Sequence, residues 1–302
     1  MRVLYFGMLG EFSRLPLMAL LDAGVDVCGV MVPMSRSDGA PIAELRPIVP
    51  LTDLPITHPY LEPNIVHVAW ERGIPVFEVG RLKHTAASLI VSSLKPDVAC
   101  VACFSNRIPA WLLALPKHGF LNLHPSLLPA QRGPEPLFWF FRSGGGSNGV
   151  TIHFMDEGLD TGDIAAQAPI DVPDGISRAE ADRRLAALGG QVMVEVIRSL
   201  EGGTLSRREQ PAGGSYQPMP TANDFQMEAS WSARRAFNFM RGTAEWGQPY
   251  PIEIGAQRLR LASAIEYSAD EVLGTTHIQS GDDVRVQFAP GVLVARTYRS
   301  AN

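Results

Sequence analysis

The sequence predicts an α/β fold, a doubly wound and mainly parallel sheet, followed by a smaller β-rich domain. Apolar runs of strand length alternate with helical patterns through about two thirds of the chain, which is typical of βαβ units. From Thr204 onward the pattern changes to short strand-like runs between turn residues. Because 302 residues suffice for two domains, we expect one domain over residues 1–203 and a second, with its linker, over 204–302.

The elements of the first domain follow from these runs in chain order. Arg2–Gly7 is predicted to be the first strand, and Leu15–Gly24 a helix that ends at a glycine. Ser177–Leu200 is predicted to be one long helix, because Ser177 and Glu180 can form a capping box at its start. The other predictions are strands over Val25–Val32, Pro75–Val79, Asp97–Phe104, Gly119–Leu123 and Val150–Met155 and a helix over Thr85–Leu94.

The second domain is predicted to be a short β-rich barrel. Strand-like runs cover Arg258–Ala262, Val284–Phe288 and Val292–Thr297, and a helical pattern covers Ser232–Arg241. Upstream, the aromatic run PLFWFF at residues 136–141 is predicted to be the inner face of a helix, although Trp139 could instead line a binding pocket.

The connection after the second strand is unusually long. Residues 33–63 are rich in proline, which prevents long regular structure, and the length exceeds that of an ordinary connection. We expect a lid, a binding loop or a mobile segment there. The turn after the first strand contains Gly7 and Gly10 but no GxGxxG motif, which disfavours a dinucleotide enzyme.

The composition limits which binding partners and which cellular compartment we expect. The net charge of −5 and the presence of only three lysines argue against generic nucleic-acid binding, which relies on clustered cations. Neither a signal peptide nor a membrane-spanning stretch is evident, so we expect a cytoplasmic protein. Three cysteines cannot all pair, and the CxxC of Cys100 and Cys103 lies in a β-branched run, which indicates buried core cysteines rather than a redox or zinc site.

The richest segment for chemistry is 119–163. In FLNLH the strand period places Asn122 and His124 on one face at a strand end, where open α/β sheets bind ligands. A polar turn after the next strand carries Asp160, so an amide, an imidazole and a carboxylate can converge. His153 is a possible competitor for His124, or it packs on the sheet. The histidines lack metal-ligand spacing, and we expect no metal.

This trio suits acyl transfer to an amine. Asn122 can donate a hydrogen bond to the developing oxyanion, and His124 can accept the amine proton or help to hold the oxyanion. Asp160 can orient the imidazole and stabilise its charged form. Each residue alone has an ordinary structural interpretation, since strand-end histidines and DxGD turns are common.

At these residues the chain resembles the folate-dependent formyltransferases. NLHPSLLPAQRGPEPLFW and GVTIHFMDEGLDTGDI match that family's signatures, with methionyl-tRNA formyltransferases the nearest group. The resemblance implies a Rossmann-like domain that binds 10-formyltetrahydrofolate as formyl donor, followed by a linker and a small open barrel of the OB type. It also implies the catalytic trio Asn122, His124 and Asp160. The donor contacts implied are Phe104, Arg107, Ile108, Ser126, Leu127, Asp156 and Leu159.

The amine acceptor is less clearly implied. Family members that act on tRNA have a basic loop after the second strand, whereas here Arg36 and Arg46 are outnumbered by acidic residues, and the small domain is not basic. We therefore keep methionyl-tRNA as acceptor beside a nucleotide-linked amino sugar or another small amine. Hydrolysis of 10-formyltetrahydrofolate is a second alternative, and a non-catalytic folate- or nucleotide-binding module is a third.

Overall fold

A computed structural model describes residues 1–34, 42–47, 63–80, 84–146, 148–255 and 257–298. The chain divides into two compact units, neither of which is continuous in sequence. The first comprises Met1–Pro129, Gly149–Ala168 and Asp182–Gly213. The second comprises Ala130–Asn148, Pro169–Ala181 and Gly214–Asn302. A domain boundary between residues 203 and 204 remains a prediction.

The larger sheet has eight strands and is mostly parallel, which confirms the predicted fold class. Strand β1 pairs in parallel with β2 and β5, β2 with β4, and β5 with β6. Strands β3 and β7 run antiparallel to β4 and β6 respectively, and the order is β3-β4-β2-β1-β5-β6-β7-β8. The strands are β1 (Arg2–Gly7), β2 (Asp26–Pro33), β3 (Ile42–Glu44), β4 (Val76–Val79), β5 (Val98–Ala102), β6 (Phe120–His124), β7 (Asn148–Phe154) and β8 (Ile164–Ile170).

Seven α-helices lie within the described residues. Helix α6 begins where the hydroxyl of Ser177 accepts a hydrogen bond from the backbone N–H of Glu180, as the predicted cap requires. The helices are α1 (Glu11–Asp22), α2 (Ile65–Glu71), α3 (His84–Leu94), α4 (Ala110–Leu113), α5 (Pro136–Ser143), α6 (Arg178–Glu201) and α7 (Ala233–Gly242). None of them combines the length and apolar character that a membrane span requires.

Two glycines allow α6 to approach the sheet and helix α1 closely. A Cβ at Gly189 would lie 2.6 Å from side-chain atoms of Leu123 on β6, the strand that carries the candidate site. A Cβ at Gly190 would lie 2.9 Å from Cβ of Ala19 and 3.1 Å from Cα of Pro16, both on α1. Larger residues at these positions would push the helix away from its neighbours, because protein interiors are close-packed.

The second unit contains a five-stranded antiparallel sheet and an aromatic core. The sheet order is β11-β12-β13-β10-β9, with strands β9 (Tyr250–Ile254), β10 (Gln257–Ser268), β11 (His277–Ser280), β12 (Asp283–Gln287) and β13 (Val292–Thr297). The ring of Phe138 on α5 lies 5.2 to 5.6 Å from those of Phe225, Phe239 and Trp246. The predicted inner aromatic face is therefore present. Trp139 is half-buried, and its indole donates a hydrogen bond to the carbonyl of Pro218.

Element boundaries differ from the predictions in several places. Helix α1 begins at Glu11 rather than Leu15, and its polar first turn includes an ion pair between Arg14 and Glu11. Strands β3, β8, β9 and β11 and helices α2 and α4 were not predicted. Within the long connection, β3 and the exposed pair of Arg46 and Glu44 are described, whereas 35–41 and 48–62, with Arg36, lie outside the described residues.

The prediction that Cys103 is a buried core residue is wrong. Strand β5 ends at Ala102, and Cys103 adopts a φ of +58°, so it leaves the strand and is exposed. Cys28 and Cys100 are buried. Burial raises the pKa of the Cys28 thiol to about 11 and that of Cys100 further, so neither is a reactive thiolate.

Candidate active site

Strand pairing brings the first site residues together. Asn122 and His124 lie two residues apart on β6, and they pair with His153 and Thr151 on the antiparallel neighbour β7. Residues that oppose each other in such a pair share a face of the sheet. The amide of Asn122 therefore faces the imidazole of His153, with Nδ2 3.1 Å from Nε2.

The turn after β7 carries the carboxylate of Asp160. Asp160 adopts a φ of +56°, a left-handed conformation that aspartate tolerates better than most residues. The Asp156 carboxylate shapes the turn by accepting hydrogen bonds from the backbone N–H of Gly158 and from the hydroxyl of Thr161. A Cβ at Gly162 would lie 1.9 Å from the carbonyl oxygen of Phe154, so only glycine fits where the turn rejoins the sheet.

The carboxylate of Asp160 lies between two imidazoles. Its Oδ1 is 3.7 Å from Nδ1 of His124 and 3.5 Å from Nε2 of His153. All three side chains are buried, with residue exposures of 9% for Asp160, 4% for His124 and 2% for His153. A carboxylate this deep in a protein needs a nearby donor, and Nδ1 of His124 is placed to supply one. The structure thus brings Asn122, His124 and Asp160 together, with His153 among them.

The contacts of His153 indicate its tautomer. Nδ1 lies 3.0 Å from the carbonyl oxygen of Phe154, which can only accept a hydrogen bond, so Nδ1 carries a proton. In the neutral ring Nε2 is then an acceptor, and it faces the amide nitrogen of Asn122. This arrangement uses one amide N–H of Asn122 and leaves its second N–H for another acceptor.

The loop that leaves β6 is fixed by Thr151. The Thr151 hydroxyl donates to the carbonyl of Ser126 at 2.6 Å and accepts from the backbone N–H of Leu128 at 3.0 Å. Thr151 and Ser126 are fully buried, and Leu127 is half-buried. The residue that opposes His124 in the sheet therefore also holds the backbone that follows His124.

A cavity of about 350 Å³ lies at the turn that carries Asp160. It is lined by Arg107, Ile108, Pro109, Ala110 and Glu157, and a guanidinium nitrogen of Arg107 donates to the carbonyl of Glu157 at 3.0 Å. This volume is within the range of small-molecule pockets. Two of the predicted donor contacts, Arg107 and Ile108, thus line a pocket together with Glu157 of the turn that carries Asp160.

The other predicted donor contacts have different surroundings. The half-buried Phe104 ring packs edge-on against Phe6 at 5.3 Å, at the border of the hydrophobic core. Asp156 is used within the turn, Ser126 is buried beneath the loop, and Leu159 is 51% exposed. Their role in donor binding remains a prediction.

The sequence analysis did not identify several polar residues that contact the site loops. Gln210 donates to the carbonyls of Asp160 and Gly162, and Gln167 donates to Thr151 and to the carbonyl of Leu128. No motif covers them, because their partners lie far away in sequence. Within the described ranges no cluster of His, Cys, Asp and Glu has the geometry of a metal site.

Comparison with known proteins gives consistent matches. A family model described as formyl transferase matches residues 62–197. The chain is 31% identical to a methionyl-tRNA formyltransferase of Marinobacter nauticus, over 97% of this chain and 89% of that protein. It is 33% identical to a methionyl-tRNA formyltransferase of Bordetella petrii, over 97% of this chain and 90% of that protein.

A solved structure shares the fold. An N-formyltransferase from Helicobacter canadensis, crystallised with folinic acid and dTDP-3-aminofucose, matches with a TM-score of 0.67. The match covers 99% of this chain and 100% of that one at 15% sequence identity. At this identity the likeness concerns the fold alone.

Proposed function

This chain belongs to the formyltransferase family, and we therefore propose that it transfers the formyl group of 10-formyltetrahydrofolate to the amine of methionyl-tRNA. The observation that carries the proposal is the convergence of the half-buried Asn122 with the buried His124 and Asp160 in one cluster. A folate-derived donor and an amine acceptor are common to the family.

The donor supplies, when bound, the formyl carbon that the amine attacks. Asn122 donates its second amide N–H to the oxygen on which negative charge develops. His124 takes the proton of the attacking nitrogen and returns it to the leaving nitrogen of the donor, so a new C–N bond replaces the old one without an acyl-enzyme. Asp160 orients the His124 ring and stabilises the imidazolium that forms; the present 3.7 Å separation can tighten when ligands bind.

The residues around the cavity fit a folate donor. Ile108, Pro109 and Ala110 offer an apolar wall, and backbone groups of the turn at Glu157 offer polar partners, the mixture that flat heteroaromatic ligands require. Arg107 adds a cation beside the cavity that suits the carboxylates of a folate. Because Glu157 and Asp160 share one turn, a donor held in this cavity would present its reactive end close to the trio.

Methionyl-tRNA is the first acceptor candidate, since the relatives aligned over nearly the full chain are methionyl-tRNA formyltransferases. A nucleotide-linked amino sugar is the second, and a charge observation favours it. Residues 204–302 contain ten arginines, no lysine and ten acidic residues, so that part of the chain offers no net positive charge to a polyanion. Arg46, in the described part of the long connection, is paired with Glu44.

The test is a formyl-transfer assay with 10-formyltetrahydrofolate and three acceptor conditions. Charged initiator tRNA, a panel of nucleotide-linked amino sugars and no amine are compared, with formate release measured in the last. Product formed on the tRNA supports the proposal. Product formed only on a sugar would show that the acceptor is an amino sugar and not methionyl-tRNA. Formate released without any amine would show that the reaction is hydrolysis and not transfer.

His124→Ala and Asp160→Asn test the site. We expect each to lower kcat by about 10²- to 10⁴-fold, the usual contribution of general acid–base catalysis, with circular dichroism unchanged. His67→Ala is the matched control, because His67 is an exposed histidine on α2 whose ring contacts Asn64. Full activity in both site variants would contradict the assignment.

A further inference from the structure

A short segment after helix α6 is connected by hydrogen bonds to the turn that carries Asp160 and to the loop that follows His124. We name residues 204–210 the return segment. It pairs with the first residue of β8 through two backbone hydrogen bonds, from Ile164 N–H to the Arg208 carbonyl at 2.7 Å and from Arg208 N–H to the Ile164 carbonyl at 3.0 Å. This pairing fixes the return segment beside the turn that ends at β8.

The amide of Gln210 is bonded to the Asp160 turn. Nε2 donates to the carbonyl oxygens of Asp160 and Gly162, each at 2.8 Å, so both amide N–H groups are used. Asp160 itself has a left-handed backbone, which persists only where the surroundings enforce it. A hydrogen bond on its own carbonyl constrains the peptide plane and hence the direction of its side chain.

Arg208 connects the same segment to the loop that follows His124. Its guanidinium donates to Oε1 of Gln167 at 2.7 Å, which orients the Gln167 amide. Nε2 of Gln167 then donates to the Leu128 carbonyl at 2.8 Å and to the Thr151 hydroxyl at 3.0 Å. The same hydroxyl holds Ser126, two residues after His124. One hydrogen-bonded network thus links the carboxylate turn with the loop beyond the imidazole.

We propose that Gln210 is a positioning residue for formyl transfer, which sets the carboxylate of Asp160 against His124 and His153. The proposal rests on the trio proposed above. The two hydrogen bonds from Nε2 of Gln210 are made to backbone carbonyls of the turn, so these bonds act on the conformation of the turn. Gln210 therefore affects the reaction through Asp160. The hydrogen bonds of Arg208 and Gln167 hold the loop that follows His124 in place relative to the Asp160 turn.

Gln210→Met is the first test, since methionine keeps the volume of the side chain and removes both N–H donors. We expect kcat to fall by about 10- to 100-fold, because a displacement of roughly 1 Å in a catalytic group can cost 10²-fold. KM for the folate donor should stay near its wild-type value. Glu209→Gln is the matched control: Glu209 is exposed on the same segment and makes no side-chain hydrogen bond or ion pair among the described residues.

A second measurement does not depend on turnover. The ring signals of His124 and His153, assigned by their single substitutions in a ¹H–¹⁵N spectrum, report the position of the Asp160 carboxylate. Gln210→Met should shift both signals, and Glu209→Gln should leave them in place. Should Gln210→Met fail to fold, Gln210→Glu serves instead, because it keeps the size and replaces the donors by acceptors.

The outcomes separate the two proposals. Shifted ring signals with a lowered kcat support the positioning role. Unshifted signals, or shifted signals with wild-type kcat in an enzyme that His124→Ala inactivates, overturn it. Wild-type activity in His124→Ala would instead remove the proposed trio, and with it the reason to look for a positioning residue.

Discussion

His153 connects Asn122 with Asp160 at the scale of single atoms. Its Nε2 lies 3.1 Å from the amide nitrogen of Asn122 and 3.5 Å from the carboxylate of Asp160. With Nδ1 protonated toward Phe154, the neutral ring accepts from Asn122 and fixes the amide orientation. The second amide N–H of Asn122 then points away from His153, where the formyl oxygen can use it. We interpret His153 as a support for Asn122 rather than a second base.

Substitution of His153 tests this interpretation. His153→Gln keeps an acceptor oxygen for the Asn122 amide, so we expect kcat within a few fold of wild type, on the order of a small positional error. His153→Leu removes the acceptor, and we expect a loss of about 10- to 100-fold. Steady-state kinetics of the two variants beside His124→Ala provide the measurement. A loss in both as large as that of His124→Ala would mean that His153 shares the proton transfer.

The residues of the site differ in how far sequence could predict them. Asn122 and His124 follow from the two-residue period of a strand, and Asp160 from a polar turn after the next strand. Gln210 could not be predicted, because it lies 50 residues from Asp160 and bonds to backbone carbonyls, which carry no sequence pattern. The exposed Cys103 was mispredicted for a related reason. Cys103 has a positive φ directly after a strand, and the apolar residues around it do not predict that change of conformation.

At the scale of elements, burial decided which strands could be predicted. The central strands β1, β2 and β5 are almost entirely buried and read as continuous apolar runs. Edge strands lack that signal. Strand β11 has the sequence HIQS and is mostly exposed, and β3 has only three residues. Their pairing comes from neighbours in the sheet, so their own composition does not predict them.

An ion pair in the second unit gives a prediction at this scale. The carboxylate of Asp174 accepts hydrogen bonds from Arg234 on α7, from Asn238 one turn later and from Tyr267 on β10. The Arg234 guanidinium, opposed by burial and aided by Asn238 and Tyr267, lowers the pKa of Asp174 to about 2. The carboxylate thus connects a helix to a strand through the loop before α6.

The pH dependence follows from the direction of that shift. A carboxyl whose folded pKa is depressed stabilises the fold above its unfolded pKa of about 3.9, and this stability is lost as pH falls toward the folded value of about 2. Because the pair is largely exposed, its contribution is under about 1 kcal/mol. Asp174→Asn should therefore lower Tm at neutral pH by about 2–4 °C at most, and the difference should shrink between about pH 4 and pH 2.

Thermal unfolding at several pH values measures this effect. Asp171→Asn is the control, since Asp171 is exposed, lies three residues away and makes no ion pair among the described residues. The control should leave Tm unchanged at every pH. A Tm difference for Asp174→Asn that persists undiminished at about pH 2 would show that the residue acts through packing and not through its charge.

At the scale of the whole molecule, charge bears on the acceptor. The chain has a net charge of −5, and its three lysines all lie before residue 118. A polyanion binds by displacing counterions from its phosphates, which needs several cations on one surface. If tRNA is the acceptor, we therefore expect few phosphate contacts and weak binding.

The salt dependence of tRNA binding distinguishes few phosphate contacts from many. We expect binding of charged initiator tRNA, measured by fluorescence anisotropy between about 50 and 200 mM KCl, to give a slope of log K against log salt no steeper than about −3, which corresponds to about three phosphates. An uncharged elongator tRNA of the same length is the control and should bind more weakly with a similar slope. A slope between about −6 and −10 would contradict the prediction. Since residues 204–302 carry as many acidic residues as arginines, such a slope would require their arginines to cluster on one face, and the argument from net charge against a tRNA acceptor would then fail.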